Sequence, residues 1–221
     1  MNQRHFLGLL ATLALSTSAL AQEMPAPTFK VGDSWSYRET DLLTKNETGR
    51  LTETVTAVDP AEFWIDARRV ARTIWRGDSR QRVLREQFAF EEAAPNQRGK
   101  IVATNDGGCA YPWPLTVGTQ FQCTEAVLWP NGWKVRYELK FTVKAAESVE
   151  TAAGRFDTLR LEADGFATND TKNTVSGHER VIWLAPAVKR EVKHEIRTRL
   201  RNGQLFRVEG RELVEFKAGS I

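Results

Sequence analysis

The stretch WKVRYELKFTV, residues 133–143, constrains the fold of this chain more than any other segment. Apolar and polar side chains alternate along it without a break. A strand with one face in a core and one face in water produces this period of two, whereas a helix needs a period of 3.6. Similar alternation recurs in shorter segments between glycine, proline and asparagine turns. The sequence therefore predicts an all-β chain of about ten to twelve antiparallel strands.

Two segments of the chain begin alike. FKVGDSWSY starts at Phe29 and LTVGTQFQC starts at Leu115, and the later words RTIW (72–75) and RVIW (180–183) also echo each other. A duplicated meander explains the pattern, and chance recurrence of short β-rich words is the alternative. Duplication predicts a single β domain over 22–221 with halves 29–105 and 115–216. We expect a strongly curved antiparallel sheet, a two-sheet clasp or an open barrel.

The first 21 residues have the features of an export signal. Arg4 provides a basic start, an apolar run follows, and Ala19-Leu20-Ala21 matches a cleavage site. The sequence thus predicts a periplasmic or secreted protein cleaved after Ala21, with no membrane span afterwards. A buried N-terminal helix is the alternative. The remaining 30 basic and 28 acidic side chains are nearly balanced, which gives no electrostatic argument for a nucleic-acid partner.

The two cysteines, Cys109 and Cys123, are predicted to form a disulfide in an oxidising compartment. Such a bridge closes a loop of about 15 residues and stabilises by roughly 3 kcal/mol in the chain-entropy model. A metal or redox pair is the alternative, but the CxxC spacing and further ligands that it needs are missing. We expect no metal and no cofactor.

The candidate ligand-binding residues lie on a hairpin around Pro186-Ala187. A two-residue turn there would place Glu179 opposite His194 on an apolar face that also carries Trp183 and Arg190. A Glu–His pair in that setting would hold a polar headgroup or move a proton. The alternative is an ordinary cross-strand charge pair. Two histidines without a third ligand make a weak case for zinc.

Arginine outnumbers lysine 21 to 10 in this chain. Guanidinium groups suit phosphate and carboxylate, so an anionic envelope ligand is one hypothesis. The alternative is that the arginines cover the outer faces of long strands, mixed with acids. One group of them comprises Arg190, Arg197, Arg199, Arg201, Arg207 and Arg211.

Four stretches, VGDSWSY, YPWPLTVG, AAGRFDTLRLE and WLAPAVKREVKHE, together resemble the bacterial exported proteins grouped as domain of unknown function 3108 and its relatives. The likeness covers much of residues 29–216. In that family a glycine often follows the Trp-x-x-Pro motif, whereas Ala187-Val188-Lys189 follows it here. The resemblance implies a curved antiparallel β fold and an envelope location, and it supplies no catalytic residues.

The sequence contains no nucleophile elbow, phosphate-binding glycine loop or HExxH motif. It favours a non-catalytic envelope protein that binds an apolar or amphiphilic molecule such as a lipid, or an envelope protein partner, on a curved sheet. A hollow core would support that function. The alternatives are a hydrolase-like enzyme using Glu179 and His194 in a β-lined pocket, and a purely structural interaction module without hollow or pocket.

Overall fold

A single antiparallel sheet contains every described strand. The structure, a computed structural model, describes residues 23–60, 62–71, 77–84, 89–92, 100–102, 110–128 and 132–220. The strands are β1 (Ser34–Asp41), β2 (Glu47–Val58), β3 (Glu62–Ala71), β4 (Gly77–Leu84), β5 (Ala89–Glu92), β6 (Lys100–Val102), β7 (Gln120–Leu128), β8 (Lys134–Thr151), β9 (Gly154–Asn169), β10 (Thr174–Ala185), β11 (Arg190–Arg199) and β12 (Leu205–Lys217). No helix among these residues is long and apolar enough to span a membrane.

The first and last strands pair at the middle of the sheet. The order is β5-β4-β3-β2-β1-β12-β11-β10-β9-β8-β7-β6, so the chain runs outward from β1 to one edge and returns from the other edge to β12. Nine strands, β1 to β3 and β7 to β12, carry described side chains and form the body of the sheet. No strand pairing between described residues joins β5 to β6, the two ends of this order.

The all-β antiparallel prediction is confirmed, but the expected shape needs correction. The strands form one sheet, not a two-sheet clasp, and the sheet is neither closed into a barrel nor strongly curled. The reason is the pairing of β1 with β12 from Ser34–Lys217 to Asp41–Glu209. This pairing joins the two halves side by side, so they extend one sheet rather than pack face to face.

The repeated Val-Gly words form the same turn twice. Gly32 and Gly118 have φ angles of 89° and 96°, a region that favours glycine. The amide of Gly32 donates to the carbonyl of Val55, and that of Gly118 donates to the carbonyl of Val143, both at 2.8 Å. A register shift follows each acceptor, between Val55 and Ala57 and between Val143 and Ala145. These shared features make β1–β3, the first unit, equivalent to β7–β9, the second unit.

The other echo in the sequence does not align. Arg180 pairs with Ala163 in β9. Ala67 is the residue of β3 that corresponds to Ala163, and it pairs with Ser79. By register, the segment of the chain that corresponds to RVIW (180–183) therefore begins at Ser79. The RTIW word at 72–75 lies outside the described residues. The domain halves themselves stay a prediction.

Two apolar clusters lie on the inner face of the sheet, the face that carries Trp35, Leu161 and Ile182. The first contains Trp35, Tyr37, Leu51, Val55, Phe63, Ile65 and Leu213, and the second contains Leu139, Phe141, Val143, Leu159, Leu161, Ile182 and Leu184, all buried. Full burial of one such side chain contributes about 1.5–3 kcal/mol.

Two segments without regular structure cover these clusters. Residues 24–29 and 110–116 join through Met24 and Leu115, whose backbones exchange two hydrogen bonds of 2.8 Å. Phe29 packs on Phe63 and Trp35 at ring-centroid distances of 4.4 and 5.7 Å. The segments therefore form a cover over the inner face.

Candidate functional site

The hairpin that carries the candidate residues has a different register from the one predicted. Pro186–Val188 forms a 3₁₀ turn and Lys189 is left-handed with φ of 65°, so four residues rather than two separate β10 from β11. His194 therefore lies opposite Ile182, and Glu179 lies opposite Arg197. Because the register differs by an odd number of residues, the faces are exchanged. The predicted Glu179–His194 pair is wrong.

The four candidate residues separate onto two faces. His194 and Arg190 belong to the inner side, whereas Glu179 bonds Arg199 at 3.0 Å on the outer face. Trp183 also lies outside the inner row, where its indole N–H donates to Glu147 Oε1 at 2.6 Å and Lys193 Nζ lies 4.8 Å from its ring centre. These four side chains therefore do not form one site.

A belt of charged and polar side chains crosses the inner face between the apolar clusters. The register places Glu39, Arg211 and His194 side by side on β1, β12 and β11. The same row continues into the second apolar cluster through Ile182, Leu161 and Val143. We define the polar belt as Glu39, Glu53, Glu125, His178, Arg180, Arg190, Glu191, His194 and Arg211. Sequence reasoning found only Arg190 and His194 of this set as site residues.

Arg190 is held tightly at one end of the belt. Its Nη1 lies 3.0 Å from Glu53 Oε2, and the two side chains are only 10% and 5% exposed. The guanidinium also lies over the Trp35 ring, 5.1 Å from its centre. Arg190 therefore neutralises a buried carboxylate, and its predicted role in ligand binding stays a prediction.

Arg211 bridges two carboxylates in the middle of the belt. Its Nη1 and Nη2 donate to Glu191 Oε1 and Glu39 Oε1, both at 3.3 Å. Burial raises the pKa of Glu191, but Arg190 and Arg211 outweigh burial and hold the pKa below its ordinary value. Glu191 is therefore ionised and cannot act as an acid at neutral pH.

His178 lies in a network at the other end. Arg180 donates from Nη2 to Glu125 Oε1 at 2.5 Å and from Nε to His178 Nε2 at 3.1 Å. Since Nε2 accepts, the proton of the neutral ring sits on Nδ1, which lies 3.3 Å from Thr198 Oγ1. Burial, with Arg180 and Arg207 adding to it, lowers the pKa of His178 to about 3. His178 cannot take a proton from Thr198, so the pair is not a nucleophile and its base.

His194 is one of three belt residues, with Glu53 and Arg190, that have a buried side-chain atom without a hydrogen-bond partner among the described residues. Its Nε2 is buried and has no hydrogen-bond partner among the described residues. Burial lowers the pKa of His194 to about 3, with Glu191 opposing and Arg211 adding to the effect. Both belt histidines are therefore neutral at physiological pH, and the predicted proton-transfer role of His194 stays a prediction.

A small pocket opens beside the belt, beneath the cover. Its volume is about 90 Å³. The lining combines apolar side chains with a charged edge: Met24, Pro27, Phe29, Phe63, Ile65, Tyr111, Trp113, Leu184, Lys189, Arg190 and Glu191. Lys189 and Glu191 flank Arg190 in sequence, so the new register brings the charged edge to the pocket. No group of three or more His, Cys, Asp or Glu among the described residues could hold a metal ion.

Only one of the two cysteines, Cys123, lies among the described residues. Cys123 is buried in β7 in the second apolar cluster. Cys109 lies outside the described residues, as does the cleavage site after Ala21. The disulfide and the leader therefore stay predictions.

Comparison with known proteins supports the fold and goes no further. The structure is similar to a candidate lipoprotein from Parabacteroides distasonis, with a TM-score of 0.58, 15% identity, and coverage of 88% of this chain and 99% of that one. It is also similar to a candidate exported protein with a YmcC-like fold from Bacteroides fragilis, with a TM-score of 0.55, 14% identity, and coverage of 90% and 100%. No family model matches, so the resemblance to domain of unknown function 3108 is not confirmed. No curated protein sequence matches either. At these identities the likeness shows a shared fold alone.

Proposed function

We propose that this chain is a non-catalytic exported protein of the cell envelope that binds an apolar or amphiphilic molecule through the pocket beneath the cover. The observation that carries the proposal is the composition of that pocket, which has apolar walls from both clusters and one charged edge. Ligand sites commonly combine these two features. The likeness in fold to a candidate lipoprotein and a candidate exported protein supports the location.

The volume of the pocket limits what it accepts as it stands. About 90 Å³ corresponds to roughly three water molecules at liquid density. A longer alkyl chain enters only if residues 24–29 and 110–116 separate from the sheet. The cover is suited to such movement because it lies outside the ladder of strands and closes through one isolated bridge.

The enzyme alternative loses its support from the geometry. Glu179 and His194 lie on different faces of the sheet, and the buried carboxylates of the belt are bound by arginines. A purely structural module remains the competing function, and it predicts a pocket that binds nothing.

A disulfide lock across the cover tests the proposal. Met24 and Leu115 exchange two backbone hydrogen bonds, so their Cα atoms lie about 5.5 Å apart, within the range that a disulfide bridges. Straight-chain carboxylic acids of 4 to 16 carbons would be titrated against the mature protein, with displacement of an anionic naphthalene dye as the readout. We expect the wild-type protein to bind the longer acids, and oxidised Met24→Cys/Leu115→Cys to lose them and to regain them on reduction.

The control is the wild-type protein under the same oxidant and reductant. Failure of the wild-type protein to bind any acid would reject the proposal, as would unchanged binding in the locked variant. Native mass spectrometry of protein from its own envelope would then identify the natural ligand.

A further inference from the structure

Most of the exposed apolar side chains lie at one end of the sheet. Nine large apolar side chains are exposed among the described residues. Seven of them lie where β1, β3, β9 and β11 end and where β8, β10 and β12 begin: Leu43, Val70, Trp133, Phe166, Val175, Leu200 and Phe206. The other two, Val31 and Val117, lie at the opposite end. Single exposed apolar residues are normal on a protein surface, whereas a group of them marks a site of interaction.

Three neighbouring hairpins bring this group together. The pairs β2-β1, β12-β11 and β10-β9 follow one another in the sheet, and their turns lie at the same end. The amide of Leu42 donates to the carbonyl of Val208 at 2.9 Å, which holds the first turn against β12. Strand β8 lies next to β9, and there Lys172 Nζ lies 5.6 Å from the centre of the Trp133 ring. We define the hairpin end as residues 41–47, 132–134, 166–175 and 199–207.

The hairpin end carries a positive charge. It contains six cations and three acids, and several of these pair with residues just outside it, as Arg199 does with Glu179 and Arg207 with Glu209. With the described ion-pair partners included, the net charge is +2, from eight cations and six acids: Lys45, Arg50, Lys134, Arg136, Lys172, Arg199, Arg201 and Arg207, against Asp41, Glu47, Glu138, Asp170, Glu179 and Glu209. An anionic surface is therefore attracted to this end.

Two of the turns hydrogen-bond their own backbone amides. In the β1–β2 turn, Asp41 Oδ1 accepts from the amide of Leu43 at 2.8 Å. In the β11–β12 turn, the amide of Leu200 donates to the carbonyl of Gln204 at 2.9 Å, and the amide of Gly203 donates to the carbonyl of Leu200 at 2.8 Å. Because unsatisfied backbone groups are costly away from bulk water, such turns can enter a layer of lipid headgroups at low cost.

We propose that the hairpin end docks on the surface of an anionic lipid bilayer. The apolar side chains of the turns lie at the level of the headgroups, where aromatic residues are favoured, and the neighbouring lysines and arginines contact lipid phosphates. The three hairpins extend over about 19 Å from β1 to β9. Apolar tips separated by cations along this row suit a lipid surface better than a protein partner, whose interface has a compact apolar centre.

Co-sedimentation with vesicles tests the proposal. The mature protein would be mixed with vesicles of phosphatidylglycerol and phosphatidylcholine in equal parts, and with vesicles of phosphatidylcholine alone. We expect binding to the anionic vesicles, much weaker binding to the neutral ones, and an affinity that falls as salt screens the charges. Phe206→Ser should weaken binding to the anionic vesicles about ten-fold and Lys45→Gln about five-fold, the losses expected for one apolar side chain and one cation at the lipid surface.

Val31→Ser and Lys144→Gln are the matched controls, because both residues are exposed and lie outside the hairpin end. Both variants should bind as the wild-type protein does. Failure of the wild-type protein to bind the anionic vesicles, equal binding to the neutral ones, or an equal loss in the controls would overturn the proposal.

Two further measurements separate docking from other events. The oxidised Met24→Cys/Leu115→Cys protein should still bind the vesicles, because the pocket has no part in docking; loss of vesicle binding there would overturn the proposal by assigning it to uptake of a lipid. Sedimentation without vesicles should show no self-association that Phe206→Ser abolishes. Such self-association would overturn the proposal by assigning the hairpin end to a second copy of the chain.

Discussion

The two equivalent units share their backbone geometry and bury different chemistry. Glu53 in β2 and Phe141 in β8 occupy corresponding positions, each opposite an alanine of the next strand. Likewise Asp33 and Thr119 follow the two turn glycines, and both accept a backbone hydrogen bond from the next strand. The difference teaches that the turn and the bulge specify the strand path, while the side chains at equivalent positions are free to diverge. The first unit contributes Glu39 and Glu53 to the polar belt, and the second unit contributes Glu125.

Acid should give the largest effect on stability, and it should act through the two histidines of the polar belt. His178 and His194 both have folded pKa values of about 3, well below the unfolded value near 6.5. Their contribution is complete above pH 6.5 and is lost as pH falls toward 3, with a slope of about 1.4 kcal/mol per pH unit for each histidine. Urea unfolding at pH 7, 5.5 and 4.5 measures the slope. A variant with both histidines changed to Gln should flatten it, and an unchanged slope would contradict this assignment.

Arg190→Met should be the most damaging single substitution at neutral pH. It leaves Glu53 buried without its cation, which costs about 3–5 kcal/mol of unfolding free energy. Replacing both residues, with Glu53→Leu added, should recover most of the loss, since the second unit has Phe141 at this position. The control is Arg38→Met, which removes an exposed pair worth about 0–1 kcal/mol. A double variant as unstable as the single one would contradict the expectation.

The third comparison is between Tyr37 and Cys123, which occupy equivalent positions in β1 and β7. The Tyr37 hydroxyl donates to the carbonyl of Glu191 at 3.1 Å, and Tyr37→Phe should cost about 1 kcal/mol. Changing Cys109 and Cys123 to Ala should cost about 3 kcal/mol through the predicted disulfide. Thermal unfolding compares the two. Peptide mapping without reductant that finds two free thiols would remove the disulfide.

Asp33 should contribute more than Thr119. Its buried carboxylate accepts from Lys189 Nζ at 2.6 Å and from the amides of Gly219 and Lys30 at 2.9 and 2.8 Å. Burial raises the pKa of Asp33, but these bonds outweigh burial and lower it. Its contribution is therefore lost only in acid below about pH 4. We expect Asp33→Ala to cost about 2 kcal/mol and Thr119→Ala about 1 kcal/mol at pH 7 in urea unfolding. Equal costs would show that Asp33 does not tie the C-terminal segment to the turn.

The smallest difference should come from the turn glycines. Gly32→Ala and Gly118→Ala each force a side chain into a positive φ, at a cost of about 1 kcal/mol. Gly32→Ala should cost slightly more, because its Cβ would lie 3.4 Å from Gly219 Cα, whereas nothing lies within 4 Å of Gly118. Thermal unfolding measures the loss of stability in each variant. A substitution at either site that leaves stability unchanged would weaken the equivalence of the turns.

Local pattern determined the parts of this fold that depend on neighbouring residues. The alternation in 133–143 predicts β8, because side-chain period acts over a few residues. The repeated Val-Gly words indicated that two segments begin alike, and in the structure both words form turns with a glycine at positive φ. The duplicated signal was thus visible before the sheet was known. Candidate residues Arg190 and His194 were instead chosen through an assumed two-residue turn, and the register that this turn implied is wrong.

Tertiary structure decided which residues meet. The left-handed conformation of Lys189 and the bulge between Trp183 and Leu184 set the hairpin register, and an odd shift moved Glu179 and Trp183 away from His194. The pairing of β1 with β12 brought Glu39 to Arg211 across 172 residues of sequence. The sequence by itself determined strands and turns, since these follow from local sterics and periodicity. The polar belt and the pocket needed strand order and register, which depend on contacts between residues far apart in the chain.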